Sequence, residues 1–363
     1  MKLVLLAKGS SIHTIKWANA LSEKGHEVHL ISMHPVGSLL NDEVDVHLLP
    51  IPAPLGYYFN FFSLRSLLKK IAPDLLHAHY ASGYGTLGRL GDFHPYMLSV
   101  WGSDIYDFPN KSAIHRKLLV SNLTTADLVC STSRDMSGKI SQLCPQLIDS
   151  TLTSFGVDTR VFTSKKLLPV ESDHITVGTV KALAHTYGID ILIEAFAKVR
   201  GELFTVNPGL ANKVRLLIVG GGPDQEALEV HAKKMGIDEV TTFVGQVDHD
   251  DVPDYLRQLD VYIAMSRQES FGVAILEASA CARPVVVSDV GGLPEVVVDG
   301  ETGFIVPSED VAAAAKAILC LVFDPSLRIR MGQAGRKFVQ KHYDWNNSVI
   351  DMEAVYAEVL AAD

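Results

Sequence analysis

Apolar residues in this chain fall into short continuous runs, separated by longer stretches in which they recur at helical spacing. The first run, 2–7 (KLVLLA), leads through a Gly-containing loop into a helical stretch at 14–24. Gly25 then stops the helix, and a second run spans 27–32. A glycine just past the last helical position, followed by a β-rich run, is the expected punctuation of a helix-to-strand connection. Similar runs follow at 75–79, 96–100 and 127–131. Short apolar strands with helices between them predict a parallel sheet covered on both faces.

The segment 163–173, bearing Lys, Pro, Glu and Asp, breaks this rhythm and reads as a linker. The alternation then restarts, with strands at 174–180, 214–219, 240–244, 261–265, 285–288 and 304–306. Helices are predicted between them at 189–200, 225–235 and 252–259 and from Phe271 onward. A last amphipathic helix begins near Trp345, with Ile350, Met352, Val355, Tyr356 and Val359 available for packing. The fold class expected is α/β: two doubly wound, Rossmann-like domains at 1–165 and 166–343, and a helix at 344–363 crossing back to the first. Ligands in such sheets bind outside the carboxyl ends of the strands.

Composition narrows the class without changing this picture. At 363 residues, 47% hydrophobic and 20% charged, the chain is an ordinary globular one, long enough for two cores. No apolar run approaches the roughly 18 residues a membrane span needs. The opening MKLVLLAKG is interrupted at once by Lys8 and Gly9 and reads as a strand rather than a signal peptide, so a cytoplasmic protein is expected. The cysteines at 130, 144, 281 and 320 lack metal-binding or redox spacing and read as small core residues. The net charge of −10 lies almost wholly after residue 164, leaving the first half near neutral, and nothing points to nucleic acid.

The segment carrying most chemistry is 266–297, SRQESFGVAILEASACARPVVVSDVGGLPEVV. A buried strand runs into polar residues and then a helix starting near Phe271. The unpaired N–H groups of such a helix start, at about Phe271, Gly272 and Val273, form a seat for phosphate. Glu269 precedes that seat, placed to accept hydrogen bonds from sugar hydroxyls. Glu277 lies four residues after Val273, on the same helical face, within reach of a second diol such as a ribose. Two carboxylates at this spacing also occur as a strand-end and a helix-surface residue. The Ser270-Phe271-Gly272 insert and the pair Gly291-Gly292 favour the binding reading.

Taken together, ESFGVAILEA (269–278), VGGLPEVV (290–297) and DGETGFIVP (299–307) closely resemble the retaining glycosyltransferases of family 4, which have the two-domain GT-B fold. VGGGP (219–223), FVGQV (243–247), FGVDTRVF (155–162) and ADLVCSTS (126–133) are similar too, as are 10–28 and VWGSDIY (100–106). The resemblance implies a nucleotide-sugar donor, with UDP favoured over GDP, and a glycan or lipid-linked acceptor. It further implies retention of anomeric configuration, cell-surface polysaccharide synthesis, and no metal or cofactor. By the same resemblance Glu269 contacts the transferred sugar and Glu277 holds the ribose. The backbone of Ser270 to Val273 meets the diphosphate, and Val247 lies on the donor side. A UDP-sugar epimerase on the same architecture, or a non-catalytic nucleotide-sugar binder, are the alternatives.

The chain departs from the family's pattern at its cations. Thr179 stands where an Arg is usual and Thr186 where a Lys is usual, which leaves Lys181 as the diphosphate cation and His185 as a weaker one. In the first half, Gly9 and Ser10 form the loop after the first strand, read either as a close backbone approach to a ligand or as a tight turn. His13 either lines the acceptor side or sits at the surface. Trp101 replaces a usual His and either stacks on a sugar ring or packs between domains. Asp104 either orients an acceptor hydroxyl or caps the following turn.

Asp248-His249-Asp250 has the form of a metal-diphosphate motif, but an acidic N-cap before Val252-Pro253 explains it better. The triple glycine 220–222 lacks the rest of a dinucleotide fingerprint. Segment 56–70, GYYFNFFSLRSLLKK, is either an interfacial helix for a membrane surface or a core helix with a basic edge.

Overall fold

The computed structural model describes residues 1–147, 150–164 and 173–361. The expected linker at 163–173, and the boundary drawn at 165, fall largely outside them. The chain divides into two compact units, Met1–Ser154 with Asn347–Asp363, and Phe155–Asn346.

The first unit is built on β1 (Lys2–Leu6), β2 (Glu27–Ser32), β3 (Asp45–Leu48), β4 (Leu75–His79), β5 (Tyr96–Ser99), β6 (Leu128–Ser131) and β7 (Thr151–Leu152). They form one sheet in the order β3-β2-β1-β4-β5-β6-β7, every pair parallel. The second unit holds β8 (Ile175–Val180), β9 (Val214–Val219), β10 (Thr241–Gly245), β11 (Val261–Ala264), β12 (Val285–Ser288) and β13 (Gly303–Val306). Their order is β10-β9-β8-β11-β12-β13, again all parallel. Strand order reverses between β1 and β4 in one sheet and between β8 and β11 in the other, so each unit has a switch point where a ligand crevice forms. These two α/β sheets are the fold class that the hydrophobic pattern predicts.

The edge strands β3 and β7 escaped that pattern. β3 reads DVHL and is largely exposed, and β7 is two residues long, so neither has a continuous apolar run. The first helix runs Ile12–Glu23, two residues earlier than the periodicity suggests. The final helix, Trp345–Ala361, buries Val349, Met352, Val355 and Tyr356, whereas Ile350 is 51% exposed. Adjacent helical positions lie about 100° apart, so Val349 takes the inward place expected of Ile350. Within the first unit this helix is tied down by Tyr356 to His77 Nδ1 at 2.8 Å and by Glu353 to His26 Nε2 at 2.7 Å.

Segment 56–70 packs as the core helix with a basic edge, and it also exposes aromatic rings. In the helix Phe61–Ile71, Leu64, Leu68 and Ile71 enter the core. Tyr58, Phe59 and Phe62 are 45, 59 and 72% exposed, and Lys69 and Lys70 face outward. Among the described residues, no helix is long and apolar enough to cross a membrane.

His77 and His79, both on β4, are buried. Burial pushes His77 down to about 3, and burial together with His77 and His13 holds His79 well below the ordinary value. Both therefore stay neutral in the folded chain while the unfolded chain takes up protons below about pH 6.5. The unfolded state then binds more protons, so stability is complete above about pH 6.5 and declines as pH falls toward 3. The slope is about 1.4 kcal/mol per pH unit per histidine. A thermal-unfolding series from pH 7 to pH 5 should show this decline, and His77→Asn should flatten it.

Candidate active site

In the second unit, β8 ends at Val180 and its neighbour β11 at Ala264, so the residues following both strands emerge at the switch point. There Lys181 Nζ meets Glu269 Oε2 at 2.5 Å, each side chain 12% exposed. Ser266 donates to the same carboxylate oxygen at 3.3 Å. The Tyr187 ring faces the ammonium at 4.6 Å. Burial disfavours the ammonium, but Glu269, with Tyr262 and Tyr187, overcomes this and holds Lys181 above the ordinary lysine value. A fixed positive charge thus sits at the carboxyl edge of the sheet.

Tyr262 lies buried beside this pair, its hydroxyl donating to the Val180 carbonyl at 3.2 Å. Burial pushes the phenol up to about 12, and Lys181, Glu269 and Glu277 all act on it electrostatically. The two carboxylates singled out in the sequence therefore both act electrostatically on one side chain.

Close backbone packing fixes the two charged residues. Gly291 has φ +51°, and a Cβ there would stand 1.9 Å from the Glu269 carbonyl oxygen. The next amide, Gly292, donates to that same oxygen at 3.1 Å. Behind Lys181, Gly220 has φ +137°, and its Cβ would lie 1.9 Å from the Lys181 carbonyl oxygen. The triple glycine is accordingly a packing device for the Lys181 loop.

Arg267 contributed nothing to the sequence reading, where it was one polar residue in a loop. Its guanidinium grips Asp190 through two bonds of 2.9 and 2.7 Å, Glu309 at 2.7 Å and the His185 carbonyl at 2.7 Å. It ties the loop after β11 to the segment that carries His185, which is itself exposed.

The helix expected from Phe271 begins two residues later, as Val273–Ala280, because Gly272 precedes it at φ +112°. Phe271 is buried, with its ring centre 6.3 Å from Phe155 and 5.7 Å from Tyr343, so it presents only backbone to a ligand. The amides of Gly272, Val273 and Ala274 have no acceptor inside this helix. Ser270 is half-buried beside them. Glu277, 8% exposed, points Oε1 at His249 Nε2 across 3.6 Å. His249 opens a short turn, His249–Asp251, ahead of the helix Val252–Gln258, as an acidic N-terminal segment requires. Val247 is half-buried two residues earlier, and Thr179 is fully buried within β8.

The candidates of the first unit sit around its own switch point. Gly9 is buried with its amide on Ser32 Oγ at 3.0 Å, and Ser10 is exposed. Trp101 lies with its ring centre 4.5 Å from His79 and 5.9 Å from His13, an aromatic cluster internal to this unit. Asp104 is fully buried and accepts the amides of Ala81 at 2.7 Å, Gly102 at 2.8 Å and Trp101 at 3.2 Å. Its carboxylate is committed to clamping the loops after β4 and β5 together, which corrects the reading in which it orients an acceptor hydroxyl. Asp104→Ala would strand three amides at roughly 1–3 kcal/mol each for those left buried. A marked drop in melting temperature checks this.

Known proteins resemble this chain in sequence and in fold. Residues 162–338 match the family model described as glycosyl transferases group 1, and residues 2–133 match that described as glycosyl transferase 4-like. The chain is 25% identical over 375 residues to the N-acetyl-alpha-D-glucosaminyl L-malate synthase of Bacillus anthracis, covering 98% of this chain and 95% of that one. In structure it is similar to sucrose-phosphate synthase from Thermosynechococcus elongatus, with a TM-score of 0.83, 22% identity and 100% of both chains covered. It is also similar to Anabaena HepE in complex with UDP and glucose, with a TM-score of 0.79, 19% identity and 98% of both chains covered. At these identities the structural likenesses establish the fold, which is GT-B. Motifs, strand order and family matches converge, and the chain belongs to the group 1, family 4-like glycosyltransferases.

Proposed function

We propose that this glycosyltransferase moves a sugar from a nucleoside diphosphate to a hydroxyl of a glycan or lipid-linked acceptor, with retention and without a metal. The observation that carries this reading is the buried Lys181–Glu269 pair beside the start of the Val273–Ala280 helix. A cation and unpaired amides suit a diphosphate, and a neighbouring carboxylate suits sugar hydroxyls. UDP is favoured over GDP as the nucleotide, in line with the UDP held by the Anabaena neighbour.

In this scheme Glu277 binds the ribose diol and Glu269 the transferred sugar. Lys181 and the helix-start amides receive the diphosphate. As the bond from the anomeric carbon to the phosphate oxygen breaks, negative charge grows on the diphosphate, where Lys181 stabilises it. The acceptor oxygen forms its bond to the anomeric carbon on the same face, and its proton passes to the departing phosphate oxygen. Glu269 keeps the ammonium in position before the donor arrives, so little reorganisation remains at the moment of reaction. The exposed aromatics and lysines of 56–70 are the surface for a membrane holding a lipid-linked acceptor.

A thermal-stability panel of UDP- and GDP-sugars tests the donor. Each tenfold excess over the dissociation constant should add about 1.4 kcal/mol of stability for the true donor. No stabilisation by any nucleotide sugar would sink the assignment. Turnover should also survive excess chelator, because Lys181 and the helix start supply the positive charge.

A further inference from the structure

We propose that Tyr187 is a positioning residue for transfer and that Arg267 is its anchor, the guanidinium holding the turn 185–187 so that the Tyr187 ring caps the Lys181 ammonium. This rests on the transferase reading above and deepens it, because both residues act through Lys181.

A lysine ammonium ends a flexible four-carbon stem, and a single carboxylate contact leaves it free to swing about that contact. The Tyr187 ring removes this freedom. Its centre lies 4.6 Å from Lys181 Nζ, inside the roughly 6 Å over which a ring face attracts a cation. Glu269 Oε2 holds the same nitrogen at 2.5 Å. The two contacts are not equivalent toward a diphosphate. A carboxylate repels the arriving anion, whereas a neutral ring holds the cation without adding negative charge beside it. Attraction of this kind strengthens with desolvation, and the Lys181 side chain is only 12% exposed.

The ring owes its place to the segment that leads into Glu269. Tyr187 ends a three-residue turn, His185–Tyr187, whose first two residues are exposed. The amides of Arg267 and Gln268 both donate to the Thr186 carbonyl, at 2.8 and 3.4 Å. Arg267 Nη1 donates to the His185 carbonyl at 2.7 Å, and its fork grips Asp190, three residues beyond Tyr187, at 2.9 and 2.7 Å. Between them, Gly188 has φ +61°, and a Cβ there would stand 1.8 Å from the Met265 carbonyl oxygen. Both flanks of Tyr187 are thus tied to 265–268, and ring, ammonium and carboxylate are held as one body.

Glu309 orients the anchor from the other side, accepting Arg267 Nε at 2.7 Å. Its φ is +62°, a conformation that a non-glycine residue adopts only where its surroundings impose it. Asp190 and Glu309 are both partly exposed, and such ion pairs add little stability by themselves. A bidentate grip and a strained partner, both serving one side chain two positions before Glu269, therefore point to a geometry being held.

Release of UDP from UDP-glucose, UDP-galactose and UDP-N-acetylglucosamine by the full chain, with water as acceptor, tests this. Tyr187→Leu should lower kcat about tenfold, and Tyr187→Phe should recover most of that loss. The KM for the donor should change less than about twofold, since the charge grows only as the bond breaks. Fluorinated phenylalanines at position 187 keep the ring's shape while withdrawing electrons from its face. With them log kcat should fall stepwise from Phe through the mono-, di- and trifluoro rings. Arg267→Gln should match Tyr187→Leu, and combining the two should cost no more than either alone. Arg267→Lys should not restore the rate, because an ammonium cannot reproduce the fork. Lysine labelled with carbon-13 at Cε gives a reading independent of turnover. The ring should move the Lys181 signal upfield, and Tyr187→Leu and Arg267→Gln should each return it to the ordinary position. A flat fluorination series would overturn the proposal by making the ring mere packing, and so would an unshifted Lys181 signal in the unaltered chain. A shifted signal with no UDP released from any donor would instead remove the transferase reading beneath it.

Discussion

Lys181→Met is expected to lower kcat by about 10²–10³-fold, equivalent to roughly 3–4 kcal/mol, the cost typical of deleting one preorganised group that stabilises developing charge. The ammonium is buried against Glu269 at 2.5 Å, and the two positions where the family resemblance implies cations are threonines, Thr179 and Thr186. Little else therefore compensates. A structural effect must be separated from a catalytic one, because breaking a buried ion pair from one side leaves an uncompensated charge and costs about 3–5 kcal/mol of stability. Glu269→Leu alone should show that penalty as a large fall in melting temperature. Replacing the pair together, Lys181→Met with Glu269→Leu, should recover much of the stability, since apolar replacements of a buried pair are often tolerated. Turnover should not return. If the doubly substituted enzyme regains activity along with stability, the pair is a structural tie and the catalytic assignment fails.

Gly291→Ala should be nearly as damaging, through geometry alone. Its φ of +51° makes any side chain costly, by about 1–2 kcal/mol, but that strain is the smaller part. The new methyl would stand 1.9 Å from the Glu269 carbonyl oxygen, so the loop carrying Glu269 must shift. Displacing a catalytic group by about 1 Å costs on the order of 10²-fold in rate. Gly300→Ala isolates the two contributions, because Gly300 also has positive φ, +73°, yet nothing lies within 4 Å of its added Cβ. That variant should lose only the backbone strain, a melting shift of a few degrees, and keep its turnover. Equal losses in the two variants would show that the contact with the Glu269 loop is irrelevant.

Much of the fold was legible before any coordinates. The buried strands announced themselves because a strand covered on both faces must be apolar throughout, and glycine ended the first helix where a left-handed turn was needed. The largely exposed β3 and the two-residue β7 lacked that signal. The boundaries at Ile12 and Val273 moved by about one half-turn, since the backbone leaves helical dihedrals at Ser11, which is extended, and at Gly272, which has φ +112°. In the candidate site, the segment 266–297 declared two carboxylates and a helix start. The first half left open what Asp104 does, because a carboxylate near a turn reads alike whether it faces a ligand or three backbone amides.

The order of residues along the chain thus determined the α/β class and the doubling into two sheets, and it singled out Glu269 and Glu277 and, through the family resemblance, Lys181 as candidate site residues. The class and the doubling follow from burial periodicity and local backbone rules, which act over a few residues. Tertiary structure alone decided that Lys181 and Glu269, 88 positions apart, share one ion pair, that His249 faces Glu277, and that Gly220 and Gly291 back the two charged loops. Such meetings depend on β8 lying next to β11, and a parallel strand carries the same apolar signature whichever neighbour it takes.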